Sequence, residues 1–117
     1  MFDLYASFII GDEGSDYALT LGADIDGGAG NAMNFQNNQA FSTHDDDNDG
    51  TTNDCVDLYK GGWWYGNANN NCHEANLNGL YLKGAYTPQD YTGIDYMSWK
   101  GYHYSLAATE MKVRPAP

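Results

Sequence analysis

The sequence predicts an α+β fold of an irregular, loop-rich kind, with short antiparallel strands and few short helices. Three observations carry this. Fourteen Gly and ten Tyr stand beside only three Pro, a turn-rich and aromatic composition unlike that of a helical bundle. The opening FDLYASFII alternates with a period of two, placing Phe2, Leu4, Ala6, Phe8 and Ile10 on one side. The stretch from Asp45 to Asn71 has neither helical nor strand periodicity.

Taken in order, DEGSD (12–16) is a turn that leads FDLYASFII into YALTLG (17–22), which together read as a hairpin. GADIDGGAGNA (22–32) reads as loop, and NAMNFQNN (31–38) as a short helix capped by Asn31. LNGLYLKG (77–84) and YHYSLAATEMKVRP (102–115) hold short strand-like runs, the second closed by Pro115. A long irregular middle needs something besides backbone ladders to order it, which points to a metal, a disulfide or both.

At 117 residues the chain is one domain at most, and no repeat or linker divides it. Five Lys and Arg against sixteen Asp and Glu give a formal charge of −11. Nucleic acid and anionic membrane surfaces are poor partners for such a chain, and cations are good ones. No stretch reaches the ~18 apolar residues of a membrane span. MFDLYASFII has Asp3 where a secretory leader would be basic and lacks a small-residue cleavage site, so it reads as strand.

The acidic run DDDNDGTTND (45–54) suits a hard divalent cation, because alternate carboxylates on a tight loop can converge on one ion while the backbone adds carbonyls. Asp45, Asp47, Asp49 and Gly50 match the first half of an EF-hand loop, but Val56 stands at the twelfth position and no amphipathic helix flanks the run. A solvated acidic turn is the simpler alternative. Cys55 and Cys72 enclose sixteen residues, and a disulfide between them would stabilise by roughly 3 kcal/mol. Two alternatives stand beside it. Cys72 next to His73 resembles a thiol and its base, although adjacent side chains rarely face one another. His44, Cys55, Cys72 and His73 offer four zinc-type ligands, but without a recognised spacing.

FSTHDDDNDGTTNDC, GGWWYGNANNNCHEANLNGLYLKG and SWKGYHYSLAATEMKVRP, in this order, resemble the C-terminal part of the fibrinogen-related globular domain found in fibrinogens, ficolins, tachylectins and angiopoietins. YASFIIGDEGSDYALTLGADIDGGAGNAMNFQNN follows the same pattern, so the resemblance spans nearly the whole chain, residues 1–117, as the second half of the family's domain. The first half, with its own disulfide and several strands of the central sheet, is not in this sequence.

The resemblance implies a fibrinogen C-terminal-like fold with one disulfide, Cys55–Cys72, and a calcium loop. The implied Ca²⁺ ligands are the side chains of Asp47 and Asp49 and the carbonyls of Thr51 and Asn53, with Asp45 and Asp46 as supporting charge. In the lectin branch the peptide bond preceding the second cysteine, here Asn71–Cys72, is cis, and the N–H groups of Cys72 and His73 donate to an acetyl oxygen. Tyr59, Tyr91 and Tyr102 match the walls that receive the acetyl methyl, and Thr92 stands where the lectins usually have Ala. GNAN (66–69) is an insertion beside this pocket.

Each residue also has a plainer reading. Tyr91 and Tyr102 are ordinary half-buried aromatics in a Tyr-rich chain, Trp63 and Trp64 are core, and His44 and His103 are surface residues. Two function classes follow. One is a secreted, calcium-dependent lectin-like module for acetylated sugars or other acetylated ligands, of the innate-immunity pattern-recognition type. The other is a protein-interaction or structural module of the fibrinogen or angiopoietin kind, binding a peptide or receptor. Oligomers would form through segments outside this chain. Enzyme activity has no support, since no carboxylate pair, activated nucleophile or open metal position emerges.

Overall fold

The computed structural model describes residues 1–66, 71–87 and 91–117. The opening hairpin forms, and it is longer than the sequence suggests. β2 (Phe8–Ile10) pairs antiparallel with β3 (Leu19–Leu21) around a 3₁₀ turn at Glu13–Ser15. β1 (Phe2–Tyr5) pairs in the same register with β4 (Asp24–Gly27), from Phe2 opposite Gly27 to Tyr5 opposite Asp24. Between the two ladders Ala6 N–H donates to Ala23 O at 2.8 Å and Gly22 N–H to Ser7 O at 2.9 Å, so the pairing runs through the bend. Residues 24–27 are therefore strand, where composition reads loop. Asp and Gly are weak strand formers, and here the partner strand supplies the conformation.

The face expected from the alternation is only partly covered. Phe8 packs on the core, while Phe2 is 62% and Leu4 48% exposed. On the opposite face, the Tyr5 hydroxyl shares its one proton between Asn31 Oδ1 at 2.6 Å and Asp3 Oδ2, to which the Tyr96 hydroxyl also donates. Asn31 precedes a 3₁₀ helix at Ala32–Gln36, but its side chain serves Tyr5 and makes no cap.

Two helices lie in stretches without visible period. α1 (Cys55–Tyr59) starts where Asp54 accepts the Asp57 N–H at 3.0 Å, and α2 (Met97–Lys100) follows Tyr96 directly. At five and four residues neither is long enough to show a 3.6-residue repeat. The remaining strands among the described residues are two residues each: β5 (Ala75–Asn76) pairs with β7 (Asp95–Tyr96), and β6 (Gly84–Ala85) with β8 (Tyr104–Ser105). In LNGLYLKG, Leu80 makes only an isolated bridge to Gly93. Gly79 is required there, because a Cβ would sit 2.2 Å from the Gly93 carbonyl oxygen.

The core gathers Leu19, Val56, Trp63, Tyr65 and Ala75 around the Cys55–Cys72 disulfide. Trp63 and Trp64 are both buried, Trp64 with Phe8 and Phe41 edge-on at 6.0 and 5.2 Å. Gln36 is wholly buried and ties three segments together: Nε2 donates to Trp64 O at 2.6 Å, and Oε1 accepts the N–H groups of Glu74 at 3.2 Å and Ala75 at 3.4 Å. A buried amide so well partnered fixes geometry as well as stability.

Candidate functional site: an aromatic cluster beside a disulfide and an acidic loop

Cys55 begins α1 and Cys72 lies just before β5. Their disulfide, with Cα atoms 5.7 Å apart, pins the segment containing Asn71, Cys72 and His73 to the helix that carries Tyr59. This excludes the free-thiol and zinc alternatives for these two cysteines. No cis peptide occurs among the described residues, so the Asn71–Cys72 bond is trans and the cis expectation is corrected. The physical reason is direct: a non-proline cis bond costs about 3 to 4 kcal/mol, and here the disulfide closes at an ordinary Cα separation without it.

Five rings crowd around this turn. Tyr59 meets the His73 imidazole edge-on at 4.6 Å, Tyr102 meets it at 5.8 Å, and Tyr91 lies 5.0 Å from Tyr102. His103, expected only as a surface residue, is exposed but stacks on Tyr91 at 5.2 Å with ring planes 4° apart. The Tyr102 hydroxyl donates to His73 O at 3.2 Å and accepts from Asn71 Nδ2 at 3.5 Å; burial pushes its pKa up, so it stays a neutral donor. His73 Nε2 lies 3.2 Å from Tyr91 O and holds a residue whose φ of 52° is left-handed, a conformation a tyrosine keeps only under constraint. Thr92 is buried, and its carbonyl accepts Leu80 N–H at 2.8 Å. Among the described residues neither the Cys72 N–H nor the His73 N–H donates to any acceptor. The structure thus brings together Tyr59, Asn71, Cys72, His73, Tyr91, Thr92 and Tyr102. Of the GNAN insertion, residues 67–69 lie outside the described residues.

Two positioning residues escape sequence reasoning. His73 is 2% exposed, and its Nδ1 lies 3.3 Å from Oδ1 of the fully buried Asp95. Burial pushes the Asp95 carboxyl up while His73 pulls it down. Gln36 holds Glu74 and Ala75, the residues that follow the turn. Neither has a sequence signal, since Asp95 is one of sixteen acidic residues and Gln36 stands among asparagines.

The acidic loop folds on its own hydrogen bonds. Asp49 is 2% exposed; its Oδ1 accepts Thr51 N–H at 2.8 Å and its Oδ2 accepts Cys55 N–H at 2.9 Å. Asp47 Oδ1 accepts Asp49 N–H at 3.2 Å, and the Asn53 carbonyl accepts the Thr51 hydroxyl at 2.6 Å. Asp45 turns away to the Thr43 hydroxyl at 2.8 Å. No group of three His, Cys, Asp or Glu side chains suited to a metal occurs among the described residues. A cation here would therefore rest on two carboxylates plus carbonyls. The donor set fits a hard one: all ligands are oxygen, each carboxylate oxygen retains a lone pair beyond its N–H, and buried Asp49 has no cationic side chain paired with it among the described residues.

The family model for the C-terminal globular domain of fibrinogen beta and gamma chains matches residues 1–116. The chain belongs to this family. It is 46% identical over 114 residues to Ryncolin-4 of Cerberus rynchops and, over the same length, to Techylectin-5A of Tachypleus tridentatus; each match covers 97% of this chain but only 32% and 37% of those proteins. Among solved structures, the fibrinogen-like globe domain of human ANGPTL2 superposes with a TM-score of 0.80 at 37% identity, covering 89% of this chain and 46% of that one. Lamprey fibrin D-dimer, solved with the peptide Gly-His-Arg-Pro-amide, superposes at 0.76 with 29% identity over 86% of this chain and 36% of that one. This fibrinogen-type chain therefore spans about a third of its curated relatives and under half of the solved domains it matches.

Proposed function

We propose that this fibrinogen-type chain is a secreted, lectin-like recognition module whose aromatic pocket binds the acetyl group of sugars or other small ligands. The observation that carries the reading is the pair of N–H groups at Cys72 and His73, which donate to no acceptor among the described residues, beside Tyr59, Tyr91 and Tyr102. Two N–H donors complement a carbonyl oxygen, and ring faces complement the methyl beyond it. Thr92 contributes a hydroxyl that narrows a methyl-sized site. Ca²⁺ bound through Asp47, Asp49 and the carbonyls of Thr51 and Asn53 orders the loop leading into Cys55 and does not touch the ligand.

A second reading, a protein-interaction module that binds a peptide or receptor, is favoured by one comparison: a solved relative carries a peptide ligand. Titration calorimetry with N-acetylglucosamine, glucosamine and a control peptide separates the two. Binding of the acetylated sugar but not of glucosamine supports the first. Peptide binding without any response to acetylated ligands replaces it with the second.

A further inference from the structure

A second opening, of about 610 Å³, lies between Tyr17 and the tight turn at Thr43–Asp46, and none of its residues belongs to the acetyl pocket. Tyr17, Phe41 and Trp64 line it together with Asp16, Asp45 and Asp46. Among the described residues none of these carboxylates is in an ion pair. From this combination we infer that the opening is a binding site for the guanidinium of an arginine side chain on a partner protein.

Aromatic rings attract cations through their negative faces, and a carboxylate pairs with the planar, two-pronged guanidinium better than with the ammonium of lysine. The rim is built before any ligand arrives. Asp16 and Tyr17 are consecutive left-handed residues, with φ of 52° and 55°. Their carbonyls are held by Phe41 N–H at 2.9 Å and by Trp64 Nε1–H at 2.9 Å. On the other side Thr43 and Asp46 exchange backbone hydrogen bonds of 3.0 and 3.1 Å, and the Thr43 hydroxyl orients Asp45 at 2.8 Å. A site fixed in this way loses little entropy when a ligand orders it. The surrounding charge of −11 draws a cation toward it.

The test titrates the peptide Gly-Arg-Gly-amide into the protein, followed by amide and indole NMR shifts. The neutral isostere Gly-citrulline-Gly-amide serves as control. Expected are shifts at Tyr17, Thr43–Asp46 and the Trp64 indole, no response to citrulline, and weakening as salt rises. Tyr17→Asn keeps the left-handed backbone and removes the ring, and should weaken binding about threefold. Asp45→Asn with Asp46→Asn should weaken it about fivefold, with circular dichroism unchanged in both variants. Equal binding of citrulline, unaltered affinity in these folded variants, or shifts confined to Tyr91, Tyr102 and His73 would each overturn the assignment.

Discussion

Asp95 is a residue whose surroundings change its chemistry. Burial pushes its carboxyl up and the neighbouring His73 only partly opposes this. The folded state therefore keeps a proton that the unfolded chain releases from about pH 4. With more protons bound in the folded state, stability falls as pH rises through that window, and the contribution is fully present below it. Asp95→Asn removes the exchange, so melting temperatures between pH 4 and 6 should decline in the parent and decline less in the variant; identical slopes would show that Asp95 titrates normally. Tyr102 tests the pocket itself. Its ring faces Tyr91 and His73 while its hydroxyl joins Asn71 to the His73 carbonyl. Tyr102→Ala should reduce acetyl-ligand affinity roughly tenfold, a loss of about 1.4 kcal/mol, with calcium affinity unchanged. Calorimetry of both ligands on this one variant checks it.

Among the elements, α1 matters out of proportion to its five residues. It carries Cys55 and Tyr59, and Asp49 accepts its first N–H from the acidic loop. Reduction of the disulfide should cost roughly 3 kcal/mol and raise hydrogen exchange across residues 55–72, together with loss of ligand binding. Unchanged exchange in the reduced protein would show that the loop stands without its cross-link. The loop leading into α1 concentrates negative charge, and unit charges about 4 Å apart near a surface interact by roughly 4 kcal/mol. Ca²⁺ should therefore raise the melting temperature and strengthen acetyl-ligand binding, and Asp47→Ala with Asp49→Ala should abolish both effects. Sugar affinity indifferent to chelation of the wild-type protein would separate the two sites.

At the scale of the whole molecule, the radius of gyration of 13.8 Å is near the roughly 13 Å of a folded domain this long. Even so, a groove of about 500 Å³ opens between Phe2 and Leu4 on one side and Met111 and Val113 on the other. Val113 is 73% exposed, and EMKVRP forms no strand. An apolar surface of this kind attracts apolar partners. The isolated chain should bind an apolar fluorescent dye and self-associate at raised concentration, and Leu4→Ser with Val113→Ser should reduce both. A monomeric chain that melts cooperatively and leaves the dye dark would mean that the groove is closed in solution.

Local chemistry was legible in the order of residues. The turn at 12–16, the hairpin partners that flank it, the acidic loop and the cysteine pair are close in sequence, and the motif order pointed to the family that the comparisons show. Tertiary structure decided what depends on distant segments. It turned 24–27 into strand through pairing with 2–5, and left the cis peptide trans because the disulfide closes without it. It buried Gln36 and Asp95 as supports that no pattern announces, and set His103 against Tyr91. The physical reason is range. Periodicity and turn chemistry record what a residue asks of its neighbours along the chain, while burial of a polar side chain depends on which donor another segment brings to it.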